Sequence, residues 1–155
     1  MPVHRVTLLA WVRLLLVLLL VDGCAPIISE YSIDAYKNAT SLKAETLALI
    51  DRSGEKYGKL KPEIDALTTR IDAAYEFAAG LPQNQLATEQ WQLLRNPEGN
   101  LYGGLVGVWR KQGTVSAAYR SGKKFEIAAA FDRIICLEVN KKDSQTCKAV
   151  TAASQ

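Results

Sequence analysis

One histidine, His4, is all the chain has, and it precedes the longest apolar run. That run, Leu14 to Val21, is eight residues long, where a membrane-spanning helix needs about 20. No stretch alternates polar and apolar residues with a period of two, so nothing in the sequence announces a strand. There is no G-x-S-x-G elbow, no Walker-type loop and no dinucleotide fingerprint. Gly103-Gly104-Leu105-Val106-Gly107 has the look of a glycine-rich loop but follows no predicted strand, so it is not read as a phosphate site. Low-complexity stretches and internal repeats are also missing. Each absence removes a class of function: beta architectures, nucleotide binding and, once His4 is set aside, every catalytic arrangement built on imidazole.

What is present at the start is an address. His4, Arg5 and Arg13 precede the short apolar core, and small residues follow it, the layout of a secretory signal. The segment Val21-Asp22-Gly23-Cys24 resembles the lipobox of bacterial lipoproteins, with an apolar residue three before the cysteine and Gly just before it; Asp22 stands where a small or apolar residue is usual. The resemblance implies that residues 1–23 are removed and that Cys24 becomes the lipidated first residue of the mature protein. Ala25 after the cysteine, rather than Asp, implies the outer membrane over the inner one. The other readings are an ordinary cut after Gly23-Cys24-Ala25, which would put Pro26 directly behind the scissile bond, and an uncleaved signal with Cys24 a plain thiol.

Removing 23 of 155 residues leaves 132, enough for one domain with a real core. The whole chain carries 19 basic and 16 acidic residues; without Arg5, Arg13 and Asp22 these become 17 and 15, so nucleic acid is not an expected partner. Residues 24–95 hold 8 basic and 10 acidic side chains, residues 96–155 hold 9 and 5. The basic half includes Arg110, Lys111, Arg120, Lys123, Lys124 and Arg133. It reads either as a solvated helix face or as a surface that rests on anionic lipid or meets an acidic partner. Cys136 and Cys147 remain as a pair in a chain that carries an export signal. A disulfide between them would close a loop of roughly a dozen residues, a constraint of about 3 kcal/mol; two free buried thiols are the alternative. No metal site is expected, since two cysteines supply half a tetrahedral zinc site and the mature chain has no histidine.

The remaining pattern is helical. Ile28, Ser32, Ala35, Ala39, Leu42, Thr46 and Leu49 recur at steps of four and three, predicting one helix from Ile28 to about Arg52. Leu60, Ile64, Leu67, Ile71, Ala74, Ala78 and Leu81 repeat the pattern, with Pro62 read as a first-turn residue and Gly80 and Pro82 as the stop. Gln83 to Arg95 predicts a short helix with Thr88 as its cap, and Leu105 to Lys111 a further turn or two. After Gly113, Thr114 is expected to cap a last helix running through Asn140, its apolar side made of Ile127, Ala130, Phe131, Ile134 and Leu137, with residues 141–155 an irregular tail. The chain is therefore expected to be all-α: a long antiparallel hairpin, a short middle section and a long final helix, packed as a bundle. Only Ala25, Pro26 and Ile27 would separate Cys24 from the first helix, so a lipidated chain would hold its domain against the membrane.

Trp91, Tyr102 and Trp109 bracket the breaker-rich run Asn96 to Gly104. Together with Arg120, Lys123 and Lys124 they are the candidate interaction surface, core packing being the other reading of the aromatics. With no catalytic group or cofactor implied, the expectation is a non-catalytic envelope lipoprotein that binds another envelope protein, facing the periplasm. The alternative is a carrier holding a lipid or small hydrophobic ligand between its helices.

Overall fold

The computed structural model describes residues 31–141 together with Thr146 and Cys147, so the leader, Cys24 and most of the tail lie outside the described residues. Five helices follow one another with no strand among the described residues: α1 (Ile33–Asp51), α2 (Tyr57–Gly80), α3 (Gln85–Arg95), α4 (Tyr102–Gln112) and α5 (Ala117–Val139). The fold is an all-α bundle, as the helical periodicity predicts.

Cross-helix ion pairs give the directions. Lys43 of α1 meets Asp132 of α5 and Asp51 meets Lys124, so the two run antiparallel. Glu45 with Arg70 and Arg52 with Glu63 set α1 antiparallel to α2 in the same way. Arg95 at the end of α3 reaches back to Asp72 at 3.2 Å, while Asn84 just before α3 donates to the carbonyl of Ala78 at 3.0 Å, so α3 reverses α2. The Trp91 and Phe131 rings meet nearly perpendicular, centroids 5.8 Å apart, and close α3 onto α5. The principal contacts thus form a ring, α1 to α2, α2 to α3, α3 to α5 and α5 back to α1. This is an up-down-up-down four-helix bundle whose third member is broken: α4 continues the direction of α3 along α2, with Tyr102 beside Thr68 and Trp109 beside Tyr57.

The stripes read from sequence supply most of the core, except that Leu81 and Ala130 are only partly buried and Ile28 lies outside the described residues. Leu60, Ile64, Leu67, Ile71, Ala74 and Ala78 of α2 are all buried, as are Ala39, Leu42, Ile127, Phe131 and Ile134. Each large aliphatic or aromatic side chain so removed from water contributes roughly 1.5–3 kcal/mol. The alanines matter by their size, since they let the helices close up without leaving space between them.

Helix ends differ from the periodic reading because caps override stripes. α1 begins at Ile33 and not Ile28: Ser32 is extended and its hydroxyl accepts the Ala35 amide at 3.2 Å, an N-cap that fixes the start. Pro62 is not in the first turn of α2, which begins at Tyr57 because the Tyr57 amide donates to the Gly113 carbonyl at 2.7 Å. The missing proline amide costs one rung, at the exposed Gly58 carbonyl. α3 begins at Gln85, and Thr88 lies inside it, its hydroxyl bonded to the Asn84 carbonyl at 2.9 Å instead of capping. The last helix is capped by Ser116, which accepts the Tyr119 amide at 3.3 Å, and not by Thr114.

α4 departs most, running three turns from Tyr102 where the sequence suggested one or two. Gly103 and Gly104 are inside the helix because the preceding loop folds tightly against it. A Cβ on Gly103 would stand 2.3 Å from the Arg95 carbonyl oxygen, and one on Gly104 would stand 1.8 Å from that of Gly99. A Cβ on Gly107 would meet nothing closer than the Pro97 oxygen at 3.9 Å. Gly104→Ala should therefore cost about 2 kcal/mol or more in urea unfolding through overpacking. Gly107→Ala should instead leave stability unchanged or raise it by up to about 1 kcal/mol, the helix-propensity difference between the two residues.

Candidate functional site

The break between α3 and α4 is built locally. After Arg95 the Asn96 carboxamide oxygen accepts the Glu98 amide at 3.0 Å and the Asn96 carbonyl accepts the Gly99 amide at 3.0 Å, turning the chain within four residues. Leu101 then leads into α4, whose glycine face lies against the loop. The result is an open groove of about 370 Å³ between α2, α4 and the loop. Tyr57, Pro97 and Val106 give it accessible apolar surface over the buried Ile64, Ile71 and Tyr102, while Asp65, Asp72, Arg95 and Arg110 stand around it.

Its polar groups are held. Arg95 lies over the Tyr75 ring, 4.3 Å from the centroid, with Asp72 at 3.2 Å and Glu76 at 3.8 Å. Asp65 pairs with Lys61. The Tyr102 hydroxyl sits 3.0 Å from Thr68 Oγ1 and donates to the Ile64 carbonyl at 3.3 Å. Burial pushes this phenol up to about 12, the Thr68 hydrogen bond offsetting part of the rise, so it stays protonated across the ordinary pH range. An apolar floor within a charged rim is the chemistry of a contact surface. Among the described residues no group of three His, Cys, Asp or Glu side chains is placed to hold a metal ion.

A second, shallower groove of about 290 Å³ runs between α1 and α2, lined by Ala48, Leu49, Ala66 and Leu67 and framed by the Glu45–Arg70 and Arg52–Glu63 pairs. These pairs are exposed and add little to stability.

The residues nominated from sequence are dispersed. Trp91, Tyr102 and Trp109 are 2 %, 2 % and 1 % exposed, so they are core side chains and not a contact surface, flanking the break from inside. The Trp109 indole donates to the Glu55 carbonyl at 3.0 Å, tying α4 to the α1–α2 loop. Lys123 pairs with Glu126 at 2.5 Å and Lys124 with Asp51 at 2.6 Å, while the Arg120 guanidinium lies over Gly54. The basic cluster of α5 is thus partly neutralised, and no contact joins it to the aromatics. Cys136 and Cys147 are bonded, their Cα atoms 5.7 Å apart, and Cys147 is buried with Ala87 and Leu137. Sequence reasoning missed Thr68, Asp72, Arg95 and Val106, which come together only through the fold. The glycines at 103 and 104 were the available signal, marking a close approach of backbone.

Beside the disulfide lies a buried ion pair. Glu138 is fully buried, Lys141 Nζ stands 2.8 Å from its Oε2, and the same ammonium donates to the Asn84 carboxamide oxygen. Lys141 thereby links the ends of α5 and α2 to the start of α3.

No known protein family matches the chain, and it has no detectable likeness to a curated protein or a solved structure.

Two outcomes follow from these polar groups. The folded state holds the Tyr102 proton more tightly than the unfolded chain does, so its contribution is complete below pH 10 and is lost as pH climbs toward 12. Chemical denaturation across that window should show a decline of up to roughly 3 kcal/mol that Tyr102→Phe removes. Lys141→Met should cost about 3 kcal/mol by leaving the Glu138 carboxylate buried without its partner, and adding Glu138→Leu should restore most of it.

Proposed function

We propose that the protein is a lipid-anchored component of a bacterial cell envelope, facing the periplasm from the outer membrane, and that it acts as a non-catalytic module binding another envelope protein. Cys24 is its lipid attachment site. The placement rests on the basic leader, the short apolar core and the Val21-Asp22-Gly23-Cys24 sequence. No helix among the described residues is long and apolar enough to cross a membrane, which is consistent with attachment through the leader end.

The observation that carries the binding role is the amphipathic groove at the break of the third helix. The bundle below it is closed by small residues, Ala39, Ala74 and Ala78 among them, so it offers a groove edged by Tyr57, Pro97 and Val106 and not an interior chamber. This favours a surface partner over a carried lipid. The rim, with Asp72 and Asp65 paired to Arg95 and Lys61 and Arg110 exposed beside them, suits a segment with an apolar ridge and mixed charge.

The test is co-purification from gently solubilised envelopes with wild type, Cys24→Ala and Gly107→Gln, the last placing a side chain in the groove on a helix that tolerates it. A protein partner should be recovered with wild type and lost or strongly reduced with both variants. Equal recovery with Cys24→Ala refutes the tether, equal recovery with Gly107→Gln refutes the groove, and a lipid in place of a protein turns the function toward the carrier.

A further inference from the structure

The exposed apolar side chains are unevenly distributed along the bundle. Eight large hydrophobics are exposed among the described residues, and five of them, Tyr31, Ile33, Phe77, Leu86 and Val139, belong to one end. The cross-helix pairs fix which end: α1 and α3 start there, α2 and α5 finish there. They come from four helices, so no single amphipathic stripe produces them. The same end is pinned from inside by the Cys136–Cys147 bond and the Lys141–Glu138 pair, and its outer surface sets these apolar side chains among the exposed Asp34, Lys37, Glu76 and Glu89.

The opposite end is charged. Lys56, Lys59, Lys61, Arg110 and Lys111 are exposed around the α1–α2 loop and the end of α4. The chain leading from Cys24 enters at the apolar end. Seven residue steps separate Cys24 from Tyr31, so the first described residue stays within about 25 Å of Cys24 even if that chain is fully extended. α1 alone, at 19 residues, carries the charged end about 28 Å further.

We propose that this end of the bundle, with Tyr31, Ile33, Phe77, Leu86 and Val139, rests on the lipid surface, inserting its apolar side chains at the headgroup boundary and pointing the basic end away. The proposal builds on the lipid anchor at Cys24. Apolar and aromatic side chains at a bilayer interface add affinity in proportion to the area they bury, and a single end-on contact gives an anchored domain a fixed orientation. The groove at the third-helix break then stands clear of the membrane, open to a partner.

The test uses the full lipidated chain in vesicles of phosphatidylethanolamine and phosphatidylglycerol containing a photoreactive probe confined to the bilayer, with labelled residues located by peptide mass spectrometry. The mass of the N-terminal peptide reads the anchor separately. Label is expected on Tyr31, Ile33, Leu86 and Val139, with Leu93, Tyr119 and Phe125 at background. Ile33→Asp with Leu86→Glu places acids in the first turns of α1 and α3, where the helix dipole favours them, so folding is preserved. With Cys24 still lipidated, this variant should lose label at Tyr31 and Val139 severalfold. Lipid on Cys24 with equal label at Tyr119 and Phe125 means that the bundle lies flat and overturns the orientation. Lipid on Cys24 with no label on residues 31–141 overturns it as well, the end being covered by the chain itself or standing off the surface. A Cys24 without lipid refutes the anchor reading, and this one with it.

Discussion

The distance between the two halves of the third helix is set by Gly103 and Gly104, and much of the molecule depends on it. Because neither has a side chain, the Arg95 and Gly99 carbonyls can lie where a Cβ would otherwise be, 2.3 and 1.8 Å from the ideal positions. α4 therefore starts within one short loop of the end of α3 and continues along α2 in the same direction. Two helices of 11 residues then cover one side of the 24-residue α2, which a single short helix could not do. Trp109 reaches the α1–α2 loop as a consequence, and Tyr102 is carried into the core with its hydroxyl on Thr68. The groove is what remains between α2 and a helix that is broken and not continuous.

The periodic part of this architecture was legible and the punctuation was not. Leu60 through Ala78 and Ile127 through Leu137 repeat at helical spacing, and no other element type competes for such a pattern, so α2 and α5 could be placed from periodicity alone. Caps are local choices between near-equivalent residues. Thr114 and Ser116 can each start a helix, and only the backbone angles of Ser116 and its bond to Tyr119 decide between them. The start of α2 depends on Gly113, more than fifty residues away, which is beyond any window of sequence. Glycine was read as a breaker at 103 and 104 when its role is close approach.

The candidate site was half visible for the same reason. Trp91, Tyr102 and Trp109 do mark the break, because large aromatics are needed to fill the space where a helix is interrupted, but that role takes them inside. The residues that face outward there, Asp72, Arg95 and Val106 among them, are ordinary surface types at unrelated positions, and nothing short of the fold assembles them. Cys136 and Cys147 formed a pair that could be considered early because so few cysteines leave few combinations.

The two ends of the bundle are built on opposite principles, and this gives the molecule a polarity. At the charged end the connections are backbone to backbone: Tyr57 to the Gly113 carbonyl at 2.7 Å and Val115 to the Ser53 carbonyl at 2.9 Å, with the Trp109 indole on Glu55 beneath them. Such a seam satisfies its own amides and leaves the lysines and arginines on the surface, where Lys59 and Lys61 pair with Glu55 and Asp65. At the other end the ties are made by side chains turned inward, the disulfide and the Lys141–Asn84 and Lys141–Glu138 contacts. Long polar side chains used in this way are no longer available to cover the apolar residues around them. Ile33, Leu86 and Val139, each close to half exposed, are the consequence. One end is thus closed by inward-turned side chains and carries exposed apolar residues among Asp34, Lys37, Glu76 and Glu89, the other is closed by backbone hydrogen bonds and ringed by lysines and arginines, and the chain from Cys24 enters at the first.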